Sequence, residues 1–290
     1  MVERVHPDDR DGVPAVAHSA ESADAGVVVR PETLLLTLFG IHVLDHGIAL
    51  STRSVLTVMA ELGVGEHATR ATLSRMIRRE LLRTARRGRQ AFLGLTPHGE
   101  SVLREGLRRL EGPVVDRDWD GRWTLLTFSV PEARRADRHA LRTRLEWLGF
   151  GPLRSGLWVS ASCQDVSPAL AELDLLPHAE VFRAEAFMWT DPVRIAREAW
   201  DLAVLAEGYG RFCERWSEPA RGGLGELARQ VRVEAEWLLL IRRDPRLPLA
   251  LLPEDWPGVA AEQLFRSLRW QLARPAQQQA AELLEFIVDE

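Results

Sequence analysis

The first third of the chain repeats apolar residues with the period of an amphipathic helix. Three stretches, at residues 31–44, 50–64 and 66–81, place apolar residues three and four positions apart. This spacing predicts three consecutive helices. In the second stretch, Ser51 or Thr52 can cap the helix and Gly63 can end it.

A shorter period follows the three helical stretches. Residues 81–96 read as two strands joined through Arg87-Gly88, and Pro97 then opens a fourth helix. The order of three helices, a hairpin and a helix predicts a winged helix-turn-helix domain, which we place at residues 30–111.

The pattern changes again near residue 112, and all ten tryptophans lie from Trp119 onward. Strands are predicted at residues 123–130, 151–161 and 178–189, with helical spacing between them. A β-α-β-α-β order of this length is typical of a ferredoxin-like α+β domain, assigned here to residues 118–190.

Helical patterns dominate residues 191–290 and predict a C-terminal helical domain for effector binding, dimerisation or both. Its last stretch, residues 260–290, is expected to form two helices. Residues 1–29 lack apolar periodicity and predict a disordered acidic extension. The chain is therefore expected to be a multidomain α+β protein.

The composition is that of a globular protein and narrows the possible classes. The 290 residues are 46% hydrophobic and 27% charged, which excludes collagen-like and wholly disordered chains. Two cysteines, Cys163 and Cys213, cannot form a disulfide framework. No apolar run approaches the ~20 residues that span a bilayer, and the start lacks a secretory pattern. We expect a cytoplasmic protein without membrane contact.

Positive charge is concentrated in one part of an acidic chain. The net charge is −5, yet residues 70–89 contain eight arginines and one acidic residue, Glu80. All 37 basic residues are arginine, a bias typical of genome composition, so only the position and density of the arginines are informative. The cluster predicts a phosphate-binding surface.

The third helix divides into an inner and an outer face. Thr69, Leu73, Met76 and Ile77 are expected to pack inward. Small residues and arginines on the other face suit the major groove, the start of the second helix suits a phosphate, and the hairpin forms an arginine-tipped wing that also includes Arg83. The predicted DNA contacts are Ser51, Thr52, Arg53, His67, Ala68, Arg70, Ala71, Thr72, Ser74, Arg75, Arg78, Arg79, Arg86, Arg87 and Arg89.

An arginine-rich helix by itself is equally typical of a solvated surface. The hairpin with arginines and the small-residue corner before the helix favour DNA binding over that alternative.

Seven segments together resemble the PaaX family of bacterial transcriptional repressors, from about residue 30 to about residue 285. They are RPETLLLTLFG, LSTRSVLTVMAELGV, ATRATLSRMIRREL, GRQAFLGLTPHG, WDGRWTLLTFSVPE, LEWLGFGPLRSGLWVS and LPLALLPEDWPG. The resemblance implies the three domains above, a homodimer on double-stranded operator DNA, and repression of phenylacetate degradation. It also implies release from DNA by phenylacetyl-coenzyme A. The acidic extension lies outside the family pattern.

An acyl-coenzyme A effector needs cations for its phosphates and an apolar slot for its acyl group. The acidic, tryptophan-rich remainder offers both, although each of these residues is also typical of a core or a solvated face. The candidates are Trp158, Arg183, Trp189, Arg194, Arg197, Arg242, Arg243 and Trp256.

Two alternatives remain. Small folds of the central type occur in CRISPR-associated integration nucleases, so the chain could be a nucleic-acid-processing enzyme. Such an enzyme needs a metal-binding carboxylate at the end of the first central strand. That strand ends instead in Phe128-Ser129-Val130-Pro131, which contains no carboxylate. We therefore expect no catalysis and treat the central domain as a structural, dimerising unit. A related repressor with another inducer is the second alternative.

His42 and His46 have the spacing of two zinc ligands on a helix, but they lack a third nearby ligand. Neither a metal nor a cofactor is expected.

Overall fold

A computed structural model of the chain describes residues 28–217 and 223–288. The acidic extension predicted for residues 1–29 lies outside the described residues except for its last two. Of these, Val28 is exposed and Val29 is buried in the core of the N-terminal module.

The N-terminal elements follow the predicted order, with one short strand added between the first two helices. The strand has no helical or alternating signature of its own because it is only four residues long. The elements are α1 (Pro31–His42), β1 (Ile48–Ser51), α2 (Thr52–Glu61), α3 (Glu66–Arg78), β2 (Leu82–Arg87), β3 (Gln90–Leu95) and α4 (Pro97–Glu111).

The central elements form an antiparallel sheet of order β5-β6-β4-β7. Leu126 and Trp158 on one face of this sheet are buried in the same core as Leu141, Leu145 and Leu170 of the two helices. The elements are β4 (Arg122–Phe128), α5 (Arg135–Trp147), β5 (Gly151–Arg154), β6 (Leu157–Ser160), α6 (Ser167–Ala171) and β7 (Ala179–Glu185).

The prediction of a single strand at residues 151–161 was wrong. Gly156 has φ +76°, a left-handed conformation that reverses the chain and that glycine adopts without strain. The segment is consequently a hairpin of β5 and β6, with Pro152 opposite Trp158. The sheet thus contains four strands where the apolar pattern indicated three.

Helices make up most of the C-terminal part, and none of those described combines the length and hydropathy needed to cross a membrane. The two helices expected at residues 260–290 are a single helix and a short strand. Buried Leu272 and Ala276 lie on either side of Pro275, and their packing keeps the helix continuous through the proline. The elements are α7 (Pro192–Ala199), α8 (Leu202–Trp216), α9 (Glu226–Ile241), α10 (Gly258–Leu283) and β8 (Phe286–Val288).

The final strand joins the sheet of the N-terminal module. The order of that sheet is β2-β3-β1-β8, and Ile48, Ala49 and Leu50 of β1 lie opposite Val288, Ile287 and Phe286 of β8. The last described residues are therefore hydrogen-bonded to the N-terminal module.

Hydrophobic cores extend across the predicted domain boundaries. One core combines α1 to α4 with Leu227 and Val231 of α9 and Ala280 of α10. A second combines Leu110 at the end of α4 and Trp123 of β4 with the C-terminal helices. Helices α9 and α10 thus contribute to both cores, and the boundaries at residues 111 and 191 stay predictions.

Candidate nucleic-acid interface

Helix α3 turns one face into the N-terminal core and the other toward solvent. Thr69, Leu73 and Met76 are buried as predicted. Thr72, expected on the exposed face, is also buried, and its Oγ1 donates to the Ala68 carbonyl at 2.8 Å. The apolar pattern missed this because a threonine that bonds back to its own helix no longer requires water.

The solvent-facing side of α3 carries most of the predicted contacts, and we call it the arginine face. Ala71 is half-buried at its margin. Ala68 and Ala71 are small residues of the first two turns, and Arg75, Arg78 and Arg79 lie at the C-terminal end. The exposed members are His67, Ala68, Arg70, Ser74, Arg75, Arg78 and Arg79.

Weak surface contacts orient the arginines of this face. Arg70 pairs with Glu66 at 2.8 Å, Arg79 pairs with Glu32 of α1, and Arg75 donates to Thr72 Oγ1 at 2.8 Å. Exposed ion pairs contribute little free energy because water screens them. These guanidinium groups can therefore exchange their present partners for phosphates or base edges at low cost.

The start of α2 provides a second, smaller part of the interface. Ser51 is buried and caps the helix, accepting the Ser54 N–H at 3.1 Å. Its hydroxyl therefore faces inward, whereas the sequence predicted that it would contact a phosphate. Thr52 is half-buried and donates to the Ala91 carbonyl at 3.0 Å. Arg53 is exposed.

The wing is the hairpin of β2 and β3, which turns at Gly88 with φ +62°. Arg86, Arg87 and Arg89 are exposed around this turn. Arg83 lies closer to the core and donates to the Leu95 carbonyl at 3.2 Å. The hairpin thus presents three guanidinium groups at its tip.

An open groove lies between α2, α3 and the wing. Guanidinium groups stand on both sides of an apolar floor, and Glu66 is the acidic residue among its lining. Such a groove can hold a phosphate of a DNA strand between Arg53 and Arg70. Its lining consists of Thr52, Arg53, Leu56, Thr57, Ala60, Glu66, Arg70 and Ala91.

The effector candidates do not converge on one pocket. Trp158 and Trp256 are buried in different cores, whereas Trp189 is exposed. Arg183 of β7 pairs with Asp120 at 2.7 Å, and Arg194 of α7 pairs with Glu198 at 3.1 Å.

The other three effector candidates lie at helix ends. Arg197 lines a shallow groove at residues 197–203. Arg242 and Arg243 follow α9 and are exposed.

A partly buried polar cluster at the junction of α4, α5, α8 and the segment after α9 escaped the sequence patterns. The Arg109 guanidinium lies 3.8 Å from the centre of the Trp147 ring, and burial and Arg246 lower its pKa. Nearby, Tyr209 donates to Asp244, and burial raises the pKa of Asp244 to about 6. These residues come together only through tertiary packing, so no local spacing indicates them.

The two histidines considered for zinc, His42 and His46, lie at the C-terminal end of α1 and in the turn that follows it. Burial and the proximity of His46 lower the pKa of His42 to about 4. His46 Nδ1 is 2.7 Å from the Leu44 carbonyl oxygen. The described residues contain no group of three or more potential metal ligands.

Comparison with known proteins extends over most of the chain. Family profiles match residues 30–99 as "PaaX-like protein", 116–196 as "PaaX protein central Cas2-like domain" and 200–282 as "PaaX-like protein C-terminal domain". The transcriptional repressor PaaX of Escherichia coli strain K12 is 29% identical over 274 residues, covering 86% of this chain and 82% of that protein.

A solved structure shares the fold. The uncharacterized protein Rv0674 from Mycobacterium tuberculosis superposes with a TM-score of 0.61 at 22% identity, over 86% of this chain and 98% of that one.

Proposed function

The chain belongs to the PaaX family, and from this premise we propose that it is a transcriptional repressor that binds duplex DNA through the arginine face of α3 and the wing. Its similarity to a repressor supports regulation of transcription. In this proposal residues 30–111 form a winged helix-turn-helix, residues 118–190 a ferredoxin-like domain and residues 191–290 a helical domain.

The observation that carries the proposal is the outward direction of the arginines on α3. Arg75 and Arg78 are exposed on successive turns, at a spacing that fits one side of a helix lying in the major groove. Guanidinium groups there bind guanine O6 and N7, while the wing and Arg53 bind phosphates. With six to ten phosphate contacts per dimer, raising the salt concentration from about 50 to about 200 mM would lower the affinity for DNA by ~10³ or more.

We propose that the repressor works as a cytoplasmic homodimer on an inverted repeat. Two copies related by a two-fold axis present two α3 helices, so the half-sites are separated by about one helical turn or a multiple of it. A single copy would bind one half-site with lower affinity.

An aryl-acyl-coenzyme A such as phenylacetyl-coenzyme A is the proposed inducer. It would release DNA by favouring a dimer geometry that mismatches the half-sites, with a coupling on the order of 1–3 kcal/mol. Of the candidate contacts, only Trp158 and Trp256 are buried; the six that are exposed are Arg183, Trp189, Arg194, Arg197, Arg242 and Arg243. A regulator with a different inducer is the alternative within the same family.

Regulation is proposed over catalysis. The strand β4 runs into Ser129, Val130 and Pro131, so the first central strand offers no carboxylate for a nuclease metal. Cleavage of DNA in the presence of magnesium or manganese, abolished by a chelator, would favour the nucleic-acid-processing alternative.

Selection from a random duplex library, followed by footprinting, tests the proposed DNA binding. We expect enrichment of an inverted repeat protected on both half-sites. Enrichment of one asymmetric half-site would contradict the symmetric dimer, and the absence of any enrichment would contradict the repressor.

The selected duplex then tests the inducer by mobility shift. Phenylacetyl-coenzyme A is expected to release the protein, with free coenzyme A and phenylacetate as controls. Release by neither this thioester nor other aryl-acyl thioesters would contradict the proposed inducer and leave DNA binding intact.

A further inference from the structure

Exposed apolar side chains surround the last strand of the central sheet. Val181 and Phe182 lie within β7, and the others lie just before or just after it. Clustered large apolar residues on a protein surface mark an interaction site. We call this segment, residues 176–189, the β7 edge; its exposed apolar members are Leu176, Val181, Phe182, Phe187, Met188 and Trp189.

The backbone of β7 is also available for binding. Among the described residues β7 pairs with β4 only and is the last strand of its sheet. Its seven residues contain no proline, so the outer N–H and C=O groups form an unprotected template for another strand. An apolar edge with free hydrogen-bonding groups fits a partner that supplies both a strand and apolar side chains.

We propose that the β7 edge binds the β7 edge of a second copy of this chain, antiparallel, about a two-fold axis at Phe182. The proposal rests on the proposed function for its partner, because a repressor of an inverted repeat requires a symmetric dimer. It assigns the dimer interface to one strand of the central domain and joins the two sheets into one of eight strands.

Symmetry and charge select the register. A two-fold axis normal to the sheet keeps each residue on its own face, so Phe182 lies opposite Phe182 and Glu180 opposite Ala184. An axis at Arg183 would instead place two guanidinium groups opposite each other, which is destabilising. An axis at Val181 would place Glu180 against Phe182 and bury a carboxylate on an aromatic ring.

Two of the three charged residues of β7 are paired within the same chain, and the third, Glu180, is exposed and lies opposite the small side chain of Ala184 in this register. Arg183 forms an ion pair with Asp120 at 2.7 Å, and Glu185 forms one with Arg122 at 2.9 Å. Burying paired charges costs less free energy than burying single ones. Val181, opposite Arg183 in this register, covers the aliphatic part of that side chain.

The same register brings the apolar ends of the two edges together. The turn before β7 in one copy, with Leu176, then lies on the same side as the turn after β7 in the other, with Met188 and the Phe187 and Trp189 rings, whose centroids are 4.1 Å apart. Met188 and Trp189 are 91% and 77% exposed in the single chain, so both copies bury large side chains. An exposed aromatic side chain contributes on the order of 100–200 Å², and three per copy with the aliphatic residues approach the ~800 Å² per partner of a stable interface.

Sedimentation of the full-length chain tests the interface. The wild type is expected to be a dimer at micromolar concentration, and Phe182→Glu is expected to raise the dimer dissociation constant at least about 100-fold, because two carboxylates would meet at the axis. Trp270→Glu, a change at another highly exposed aromatic residue, is the matched control and is expected to leave the dimer unchanged. A monomeric wild type, or a dimer unaffected by Phe182→Glu, would overturn the proposal.

Cysteine cross-linking tests the register in a background with Cys163→Ser and Cys213→Ala. Phe182→Cys is expected to form a covalent dimer on mild oxidation, since directly opposed residues of paired strands bring their Cβ atoms within about 5.5 Å. Ala184→Cys alone is expected to stay monomeric on a denaturing gel, but to cross-link when mixed with Glu180→Cys. Cross-linking of Trp270→Cys as efficient as that of Phe182→Cys, or none for Phe182→Cys, would contradict the assignment.

DNA binding separates this proposal from the proposed function. Phe182→Glu is expected to retain the wild-type affinity for a single half-site and to lose the tighter binding of the inverted repeat. If the wild type binds no duplex but Phe182→Cys still cross-links, the repressor proposal fails and the interface stands. If the wild type binds the inverted repeat and Phe182→Glu binds it equally well, the interface proposal fails alone.

Discussion

The main-chain N–H of Glu285 donates a hydrogen bond to the Ser54 hydroxyl at 2.9 Å. In return, the Glu285 carbonyl accepts the Ser51 N–H at 2.7 Å, and the Ser51 and Ser54 hydroxyls are 2.9 Å apart. The chain directly after α10 is therefore bonded to the first turn of α2, next to Arg53. Since α10 is also part of the second core, these bonds connect the C-terminal helices to the candidate DNA interface.

Replacing Ser54 with alanine tests this connection. Ser54→Ala leaves the Glu285 N–H and the buried Ser51 hydroxyl with fewer partners, and we expect the free energy of unfolding to fall by about 1–3 kcal/mol. Urea titration measures this loss. Thr57→Ala on the same helix is the control, because Thr57 is exposed and its hydroxyl bonds only within the helix, to the Arg53 carbonyl; it should change stability by about 0.5 kcal/mol or less. Equal effects of the two changes would show that the bonds to Glu285 are not stabilising.

Two glycines of α4 are expected to respond oppositely to alanine. A Cβ at Gly99 would lie 2.1 Å from the Leu81 carbonyl oxygen, whereas a Cβ at Gly106 has no heavy atom within 4 Å. Gly99→Ala should therefore destabilise the protein by at least about 1–3 kcal/mol, since the backbone must move apart. Gly106→Ala should stabilise it by up to about 1 kcal/mol through helix propensity. Thermal unfolding of both variants measures the difference, and a stable Gly99→Ala would contradict the close packing of α4 on residue 81.

Because Asp244 is buried, we expect its contribution to the free energy of unfolding to fall as the pH rises. Burial raises its pKa from 3.8 to about 6 in the folded protein. Between these values the folded state keeps a proton that the unfolded state has released, so this group's contribution is greatest at the acidic end and is lost as the pH rises through about 6. Asp244→Asn should remove this dependence, because the amide is neutral at every pH.

Urea unfolding of the two proteins at about pH 4.5 and about pH 7 measures the effect. The wild type should lose about 2 kcal/mol relative to Asp244→Asn between these conditions. Parallel pH profiles of the two proteins would show that Asp244 is ionised in the folded state or that its pKa is unperturbed.

An arginine at the tip of the wing should affect all DNA sequences alike. Arg87 lies next to the turn and is exposed, and in the proposed binding mode it contacts a phosphate and not a base edge. Arg87→Ala should weaken selected and random duplex by the same factor and reduce the slope of log affinity against log salt by about 1. Arg211→Ala, an exposed arginine of α8, is the control for charge alone. A loss confined to the selected duplex would contradict phosphate binding by the wing.

The elements that form the candidate interface were predictable because their signals are local. The apolar spacing that predicts α3 lies within the helix itself, and the Arg87-Gly88 turn lies within the hairpin that it closes. Thr72 was misplaced because the periodic pattern counts a hydroxyl as polar, whereas in the structure that hydroxyl bonds to the carbonyl of Ala68.

Long-range contacts were beyond the sequence patterns. Three residues, Phe286 to Val288, form a strand only because β1 offers a free edge more than 200 residues earlier in the chain. Likewise, Asp244 and Tyr209 meet across 35 positions, and neither has a spacing that indicates the other. The boundaries of the domains and the residues of an effector pocket depend on contacts of this kind.

Binding of Arg75→Ala to the selected duplex and to a random duplex, measured side by side by fluorescence anisotropy, tests sequence recognition by α3 most directly. Arg75 is exposed on the arginine face and oriented by Thr72, and a lost base contact costs about 1–3 kcal/mol. We expect the variant to lose roughly 5- to 150-fold in affinity for the selected duplex and little for the random one. Equal losses on both duplexes would show that α3 does not read the sequence.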